Sequence, residues 1–152
     1  MNGSQGAERL VGPAATEAFG AGLVPQLRPG SLVRLVGELG AGKTTLVRGA
    51  LRAAGWSGPV RSPSFSLVQS YPTDPPMRHA DLYRLPDDWE RAWWQLGLAE
   101  DAELLVQWIE WPGTLGSGET AARLGLAVWT VELTIDPTDA SARWVRVVPD
   151  GC

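Results

Sequence analysis

The sequence predicts an α/β fold whose central sheet is not wholly parallel, and three observations carry that reading. A short apolar run, "SLVRLVG" (Ser31–Gly37), leads through a glycine-rich loop into a helix-forming stretch. A second apolar run, "ELLVQWIEW" (Glu103–Trp111), is cut off by Pro112 and Gly113. Two alternating runs near the C-terminus, "VWTVELTI" and "RWVRVV", flank "DPTDASA" and read as a β-hairpin. Runs of the first two kinds suit buried parallel strands, whereas a hairpin is antiparallel, so the sheet is mixed.

Taken in order, residues 1–12 contain glycine and serine and are expected to be flexible. Between Pro13 and Leu27, Phe19, Leu23 and Leu27 recur at every fourth position. That spacing predicts an amphipathic helix starting at Pro13, with Pro25 disturbing its last turn. "RPG" (Arg28–Gly30) is a turn before the first apolar strand, and the helix after the glycine loop runs from Lys43 to Ala54. In "SPSFSLVQSY" (Ser62–Tyr71), Phe65, Leu67 and Tyr71 fall on alternate positions, which predicts a strand with one wet side. After the loop "PTDPP", "RHADLYRL" gives a return strand from Arg78 to Leu82. A helix over Pro86–Gly97 places Trp89, Trp93 and Leu96 on one face.

The chain has 152 residues and a mass of 16.3 kDa, which suits one domain with its own core. Its net charge is −4 and its pI about 5.0, so it has no general electrostatic pull on nucleic acid or on an anionic membrane. Cys152 is the single cysteine, which rules out a disulfide framework within one chain. The first twenty residues show neither a basic start nor an apolar signal core, and no stretch is long enough to span a bilayer. The expected location is the cytoplasm.

"GELGAGKTT" comprises Gly37, Glu38, Leu39, Gly40, Ala41, Gly42, Lys43, Thr44 and Thr45. It satisfies G-x-x-x-x-G-K-[ST], the phosphate loop, in full. The glycines adopt backbone angles that other residues resist, their N–H groups converge on phosphate oxygens, and the following helix adds its dipole. On that template Lys43 bridges the β- and γ-phosphates and the Thr44 hydroxyl holds Mg²⁺. Lys43 is the single lysine among thirteen basic residues. A phosphate loop needs a compact ammonium, where arginine serves elsewhere. With this loop, the predicted class is a P-loop NTPase-like three-layer α/β domain.

Such a site also needs a carboxylate near the metal at the end of a neighbouring strand. Glu110 closes the run "LLVQWIE" and is the stronger candidate; Asp81 in "HADLYRL" could serve there or cap the next turn. His79, the single histidine, reads as a structural group and not as a base. Trp111 stands where the chain must leave the sheet, either as a contact to nucleotide or partner or as a plug at the sheet edge. Ser64 in "SPSF" offers a hydroxyl to the γ-phosphate, or simply opens a strand after a Ser-Pro turn.

The base-reading N-K-x-D of GTPases is excluded, because Asn2 is the single asparagine and no second lysine exists. No "LSGGQ" occurs, and Arg61, Arg84, Arg91 and Arg123 follow no spacing that marks an acceptor lid or an arginine finger. The lack of an evident acceptor points to ATP hydrolysed slowly or with a partner. A small-molecule kinase and a non-catalytic nucleotide-binding adaptor are the alternatives.

"PGSLVRLVGELGAGKTTLVRG", "SPSFSLVQSY", "HADLYRL", "LGL" and "IEWPG", in that order, together resemble the bacterial TsaE family, also called YjeE. The likeness covers roughly Thr16 to Gly113, and the terminal hairpin more loosely. It implies an ATPase of the tRNA threonylcarbamoyladenosine system. Such a protein binds ATP and Mg²⁺, hydrolyses poorly alone, and acts with TsaB and TsaD to modify the adenosine beside the anticodon in tRNAs reading codons that begin with A. Contact with tRNA would then be indirect, through partners. The resemblance implies metal positions at Thr44 and Glu110 and a nucleotide contact near the base from Thr16. It also implies a hydroxyl at Ser64 where threonine is usual, a water- or metal-ordering role for Asp81, and a role in activity or partner contact for Trp111. Pro25 and the tryptophan-rich "ERAWWQLGL" depart from the family pattern.

Overall fold

The computed structural model describes residues 6–63, 66–85, 87–117 and 119–150. Its centre is a seven-stranded sheet in the order β1-β7-β6-β2-β5-β4-β3. The strands are β1 (Glu8–Val11), β2 (Ser31–Val36), β3 (Val68–Tyr71), β4 (Met77–Asp81), β5 (Val106–Glu110), β6 (Ala127–Asp136) and β7 (Asp139–Asp150). The four inner strands β6, β2, β5 and β4 run parallel. β3 is antiparallel to β4, β7 to β6, and β1 to β7, so the sheet is mixed as predicted.

The inner strands are apolar on both faces because helices cover both. Helices α1 (Pro13–Leu23) and α2 (Lys43–Ala53) pack on one face against Val33, Leu35, Trp108 and Leu133. On the other face, Leu32, Ile109 and Val128 meet Ala92 and Trp93 of α3 (Trp89–Gln95), with α4 (Glu119–Leu124) alongside. Adjacent residues such as Leu32 and Val33, or Trp108 and Ile109, thus enter opposite cores, as the two-residue period of a strand requires. The result is three layers.

Several boundaries differ from expectation. The stretch set apart as a flexible terminus contains β1, because Glu8–Val11 complete the edge that β7 leaves unpaired. The first helix ends at Leu23 and continues as a 3-10 turn over Val24–Gln26, where Pro25 interrupts the α pattern. In the predicted Ser62–Tyr71 strand, Leu67 has a left-handed φ of 66°, so β3 begins only at Val68; Phe65 lies outside the described residues. The predicted Pro86–Gly97 helix is shorter, starting at Trp89 where the Asp88 carboxylate accepts from the Arg91 amide at 3.1 Å. The run from Glu103 opens with a 3-10 turn (Ala102–Leu104) before β5. Within "DPTDASA", Asp139–Ala142 already belong to β7, so the hairpin loop is tighter than the polar run suggests. Helix α4 is a further element that no periodicity announces.

Two glycines set the approach of α1 to α2. A Cβ on Gly49 would lie 1.9 Å from the Glu17 carbonyl oxygen, and one on Gly20 would lie 2.0 Å from that of Leu46. The helices touch backbone to backbone. Gly49→Ala is therefore expected to lower stability by about 1–3 kcal/mol, the usual cost of overpacking. Denaturant unfolding checks this; an unchanged midpoint would show that the helices part freely.

The edge strand β1 is held by Arg9, whose Nε donates to Asp136 at 2.9 Å and whose Nη2 lies 3.3 Å from Asp139. The Arg9 guanidinium, followed by the Thr138 hydroxyl and amide, keeps the Asp136 carboxyl far below its ordinary 3.8. A lowered carboxylate contributes stability above the unfolded value and loses it as pH falls through the folded one. Asp136→Asn should therefore speed exchange of the Gly12 amide, which donates to Ser141 O at 2.8 Å, at neutral pH. Equal exchange in both proteins would show that the ion pair does not hold β1.

Candidate functional site

The site forms where the C-terminal ends of β2, β5 and β4 lie side by side. In the sheet register Leu35, Glu110 and Asp81 form one row, so the two predicted carboxylates emerge together beside the loop that leaves β2. The loop turns through Gly40 (φ 80°) and Gly42 (φ 103°), both left-handed. Gly37 has a steric reason of its own, since a Cβ there would come within 2.6 Å of Leu133 O. α2 then starts at Lys43, and its first residues, Lys43, Thr44 and Thr45, line the cavity.

Lys43 is 5% exposed. Its ammonium folds back on the loop, donating to Gly37 O and, at 3.1 Å, to Glu38 O. Burial pushes it below the ordinary lysine value, while the carboxylates of Glu110, Asp81 and Glu38 pull the other way. The Trp111 ring covers it, with Nζ 3.9 Å from the ring centroid. Trp111 reaches this position because the chain leaves β5 with a left-handed φ of 57°. β5 is an interior strand, so Trp111 is no edge plug; it stacks at 4.8 Å against Tyr83 and faces the loop.

Glu110 is buried, and its Oε2 accepts from Thr44 Oγ1 at 2.8 Å. The same oxygen accepts from His79 Nε2 at 2.6 Å. Asp81 takes the turn-capping role at least: Oδ1 accepts from the Tyr83 amide at 2.9 Å and Oδ2 from Ser62 Oγ at 2.6 Å. It also lines the cavity. That cavity, of about 440 Å³, is bounded by residues 39–45, Asp81, Glu110, Trp111, Tyr83 and Arg84.

Most predicted residues therefore converge. Gly37 to Thr45, Asp81, Glu110 and Trp111 share one site. Thr16, buried in α1, packs behind the loop, its methyl lying 3.6 Å from where a Cβ of Gly42 would stand, and is not among the residues that line the cavity. The side chains of Glu38 and Leu39 point to solvent, and of Glu38 it is the carbonyl that meets Lys43. Ser64 lies outside the described residues. Among the described residues no cluster of three histidine, cysteine or acidic groups forms, so a metal here would rest on hydroxyl and carboxylate oxygen.

Two participants escaped the sequence reading. Arg143 of β7 donates from Nε to Ala41 O and from Nη2 to Gly40 O, each at 3.0 Å. It anchors the loop by its carbonyls. Nothing in the spacing of "RWVRVV" marks this arginine, which lies 102 residues from Ala41. The second is His79, whose bond to Glu110 exists only because β4 and β5 are neighbours.

Fold and loop together define a P-loop NTPase-like domain. The family model described as "Threonylcarbamoyl adenosine biosynthesis protein TsaE" matches residues 10–143. Relatives described as tRNA threonylcarbamoyladenosine biosynthesis protein TsaE include one from Synechocystis, 39% identical over 107 residues, covering 66% of this chain and 66% of its own length. Another, from Streptomyces coelicolor, is 42% identical over 98 residues, covering 60% of this chain and 66% of its own length. A third, from Mycobacterium leprae, is 36% identical over 138 residues and covers 86% and 85%. The matched stretch thus spans just under two thirds of the first two relatives. A crystal structure of Bacillus subtilis YdiB superposes with a TM-score of 0.71 at 24% identity, over 95% of this chain and 85% of that one, and shows the same fold. This chain belongs to the TsaE family.

The Arg143 anchor has a measurable consequence. A hydrogen bond from a charged donor contributes roughly 1.5–3 kcal/mol, and less where it is exposed, as the bond to Gly40 O is. Arg143→Ala should speed exchange of the Ala41 amide, which donates to Glu38 O at 3.1 Å, by at least about tenfold. Unaltered exchange would show that the loop holds its shape without β7.

Proposed function

We propose that this chain binds Mg·ATP on residues 37–45, hydrolyses it slowly, and serves with TsaB and TsaD in forming threonylcarbamoyladenosine on tRNA. The observation that carries the nucleotide part is the Thr44 Oγ1–Glu110 Oε2 contact at 2.8 Å, immediately beside the Lys43 ammonium. A hydroxyl and a carboxylate are hard oxygen donors, the set that suits Mg²⁺. Thr44 and Glu110 would hold the ion, which when bound neutralises phosphate charge.

The protein's own groups supply the rest. Loop amides and the α2 N-terminus receive the phosphate oxygens. Lys43 would exchange its two carbonyl contacts for an anion, which suits a buried ammonium better than neutral oxygen does. Asp81 orders Ser62 and, beside it, the attacking water. Catalysis is mainly electrostatic positioning at the γ-phosphate. Thr16, which packs on the loop's flank, would contact the nucleotide near its base. Family membership supports the role in tRNA modification; TsaB and TsaD as partners and a cytoplasmic setting belong to the same proposal. No helix among the described residues is long and apolar enough to cross a membrane. With a net charge of −4, the chain would meet tRNA through partners that grip its phosphates.

Calorimetry tests the binding. Lys43→Ala should weaken Mg·ATP binding roughly ten- to hundredfold. Glu110→Ala should lower turnover by about a hundredfold, more than it lowers affinity. Turnover measured with and without TsaB and TsaD should rise when they are present. No heat from any adenine nucleotide at millimolar magnesium would overturn the nucleotide reading, and rapid phosphorylation of a metabolite would replace it with a kinase.

A further inference from the structure

We infer that His79 is a positioning residue: it fixes the Glu110 carboxylate so that one oxygen is spoken for and the other is offered to the metal. The inference rests on the nucleotide reading above and concerns a group that reading leaves unused. His79 is completely buried in β4, and its Nε2 meets Glu110 Oε2 at 2.6 Å. A carboxylate only accepts, so Nε2 carries the hydrogen. Thr44 Oγ1 donates to that same Oε2 at 2.8 Å. Two donors from different elements, β4 and α2, thus converge on one oxygen. Oε1 makes no hydrogen bond among the described residues, and Glu110 lines the cavity. The carboxylate is locked from behind with one oxygen open in front.

A second observation separates this from ordinary packing. His79 Nδ1 is buried and has no partner among the described residues. A buried acceptor left unsatisfied is costly, and native interiors hold few of them. If His79 were present to fill space, an apolar side chain would serve without that cost. The imidazole is tolerated because its other nitrogen has a job. Its neighbours in the sheet register are Trp108 of β5 and Gln69 of β3, and the ring is fully buried on the sheet face. Outer groups that orient a metal-binding carboxylate or imidazole characteristically change metal affinity by 10–100-fold when lost.

Two polar replacements discriminate the role. The amide nitrogen of glutamine extends about as far as Nε2, whereas that of asparagine stops near Nδ1 and cannot reach Glu110. ATP binding is measured by calorimetry across a magnesium titration and again in EDTA. In His79→Asn the magnesium concentration for half-maximal binding should rise about tenfold, while affinity in EDTA stays within about twofold of the parent. His79→Gln should restore the parent midpoint. In a Glu110→Ala background, His79→Asn should have no further effect on the midpoint, because the group it acts through is gone. Equal magnesium midpoints in the parent and His79→Asn would overturn the inference, as would parallel losses with and without magnesium, which a general structural defect would give. Should His79→Asn not fold, additivity of His79→Gln and Glu110→Ala in the magnesium midpoint, with a shift in His79→Gln alone, would overturn it equally. A parent protein that binds no Mg·ATP would overturn the functional reading and this inference with it; a parent that binds normally beside an unaffected His79→Asn overturns this inference alone.

Discussion

One carboxylate oxygen joins the three elements on which the site depends. Glu110 Oε2 accepts from Thr44 at the start of α2 and from His79 within β4, while its own backbone lies in β5. A buried carboxylate is costly to hold in a core unless donors surround it. Here the donors are present, and the Lys43 ammonium is near enough to be drawn upward by the same charge against its burial. The central parallel arrangement is a precondition. Only with β5 between β2 and β4 do the loop, the carboxylate and the imidazole end at one level of the sheet.

The loop is shaped from both sides. From within, Lys43 donates to Gly37 O and Glu38 O and so curls the loop around its own ammonium. From outside, Arg143 takes two further carbonyls, Gly40 O and Ala41 O. Four of the loop's carbonyl directions are thereby fixed by two cations. Peptide geometry then sets where the amides point, because N–H and C=O of neighbouring units are coupled through the planar peptide. A ring of amides becomes an anion site when its acceptors are occupied elsewhere. That explains why the C-terminal hairpin, far along the chain, belongs to the site as much as the glycines do.

The legible parts of this molecule were those written in local pattern. The phosphate loop spans nine adjacent residues, and β2, β5 and α2 carry unbroken apolar or amphipathic periods. Glu110 was readable because a strand's last residue must emerge at the strand's end. What escaped depends on which strands are neighbours. Strand β1 looks like a terminus until β7 offers an edge. Leu67 fits an alternating pattern, yet its left-handed backbone breaks the strand there, which periodicity alone cannot reveal. Arg143 is one arginine among twelve until the fold brings it to the loop. His79 read as structural because its partner was 31 positions away, in a strand whose pairing with β4 no local rule specifies.

Charge closes the account. On the proposed reading, a chain of net charge −4 holds, at one point, an anion site assembled from amides, a helix N-terminus and one ammonium. Coulomb attraction from the whole surface does not favour a polyanion, and screening removes most of what acts over a Debye length of about 8 Å. Inside the cavity the same attraction operates at short range in a poorer dielectric, where a single ammonium counts for more. Trp111 intensifies this by lying over Lys43 and shedding water from one side of it. On the proposed reading the anion is received in a cavity of about 440 Å³ lined by Lys43 and the start of α2, and not by the surface as a whole. A net charge of −4 gives no general pull on nucleic acid, whereas the proposed triphosphate would need only the short reach of one lysine and one helix end.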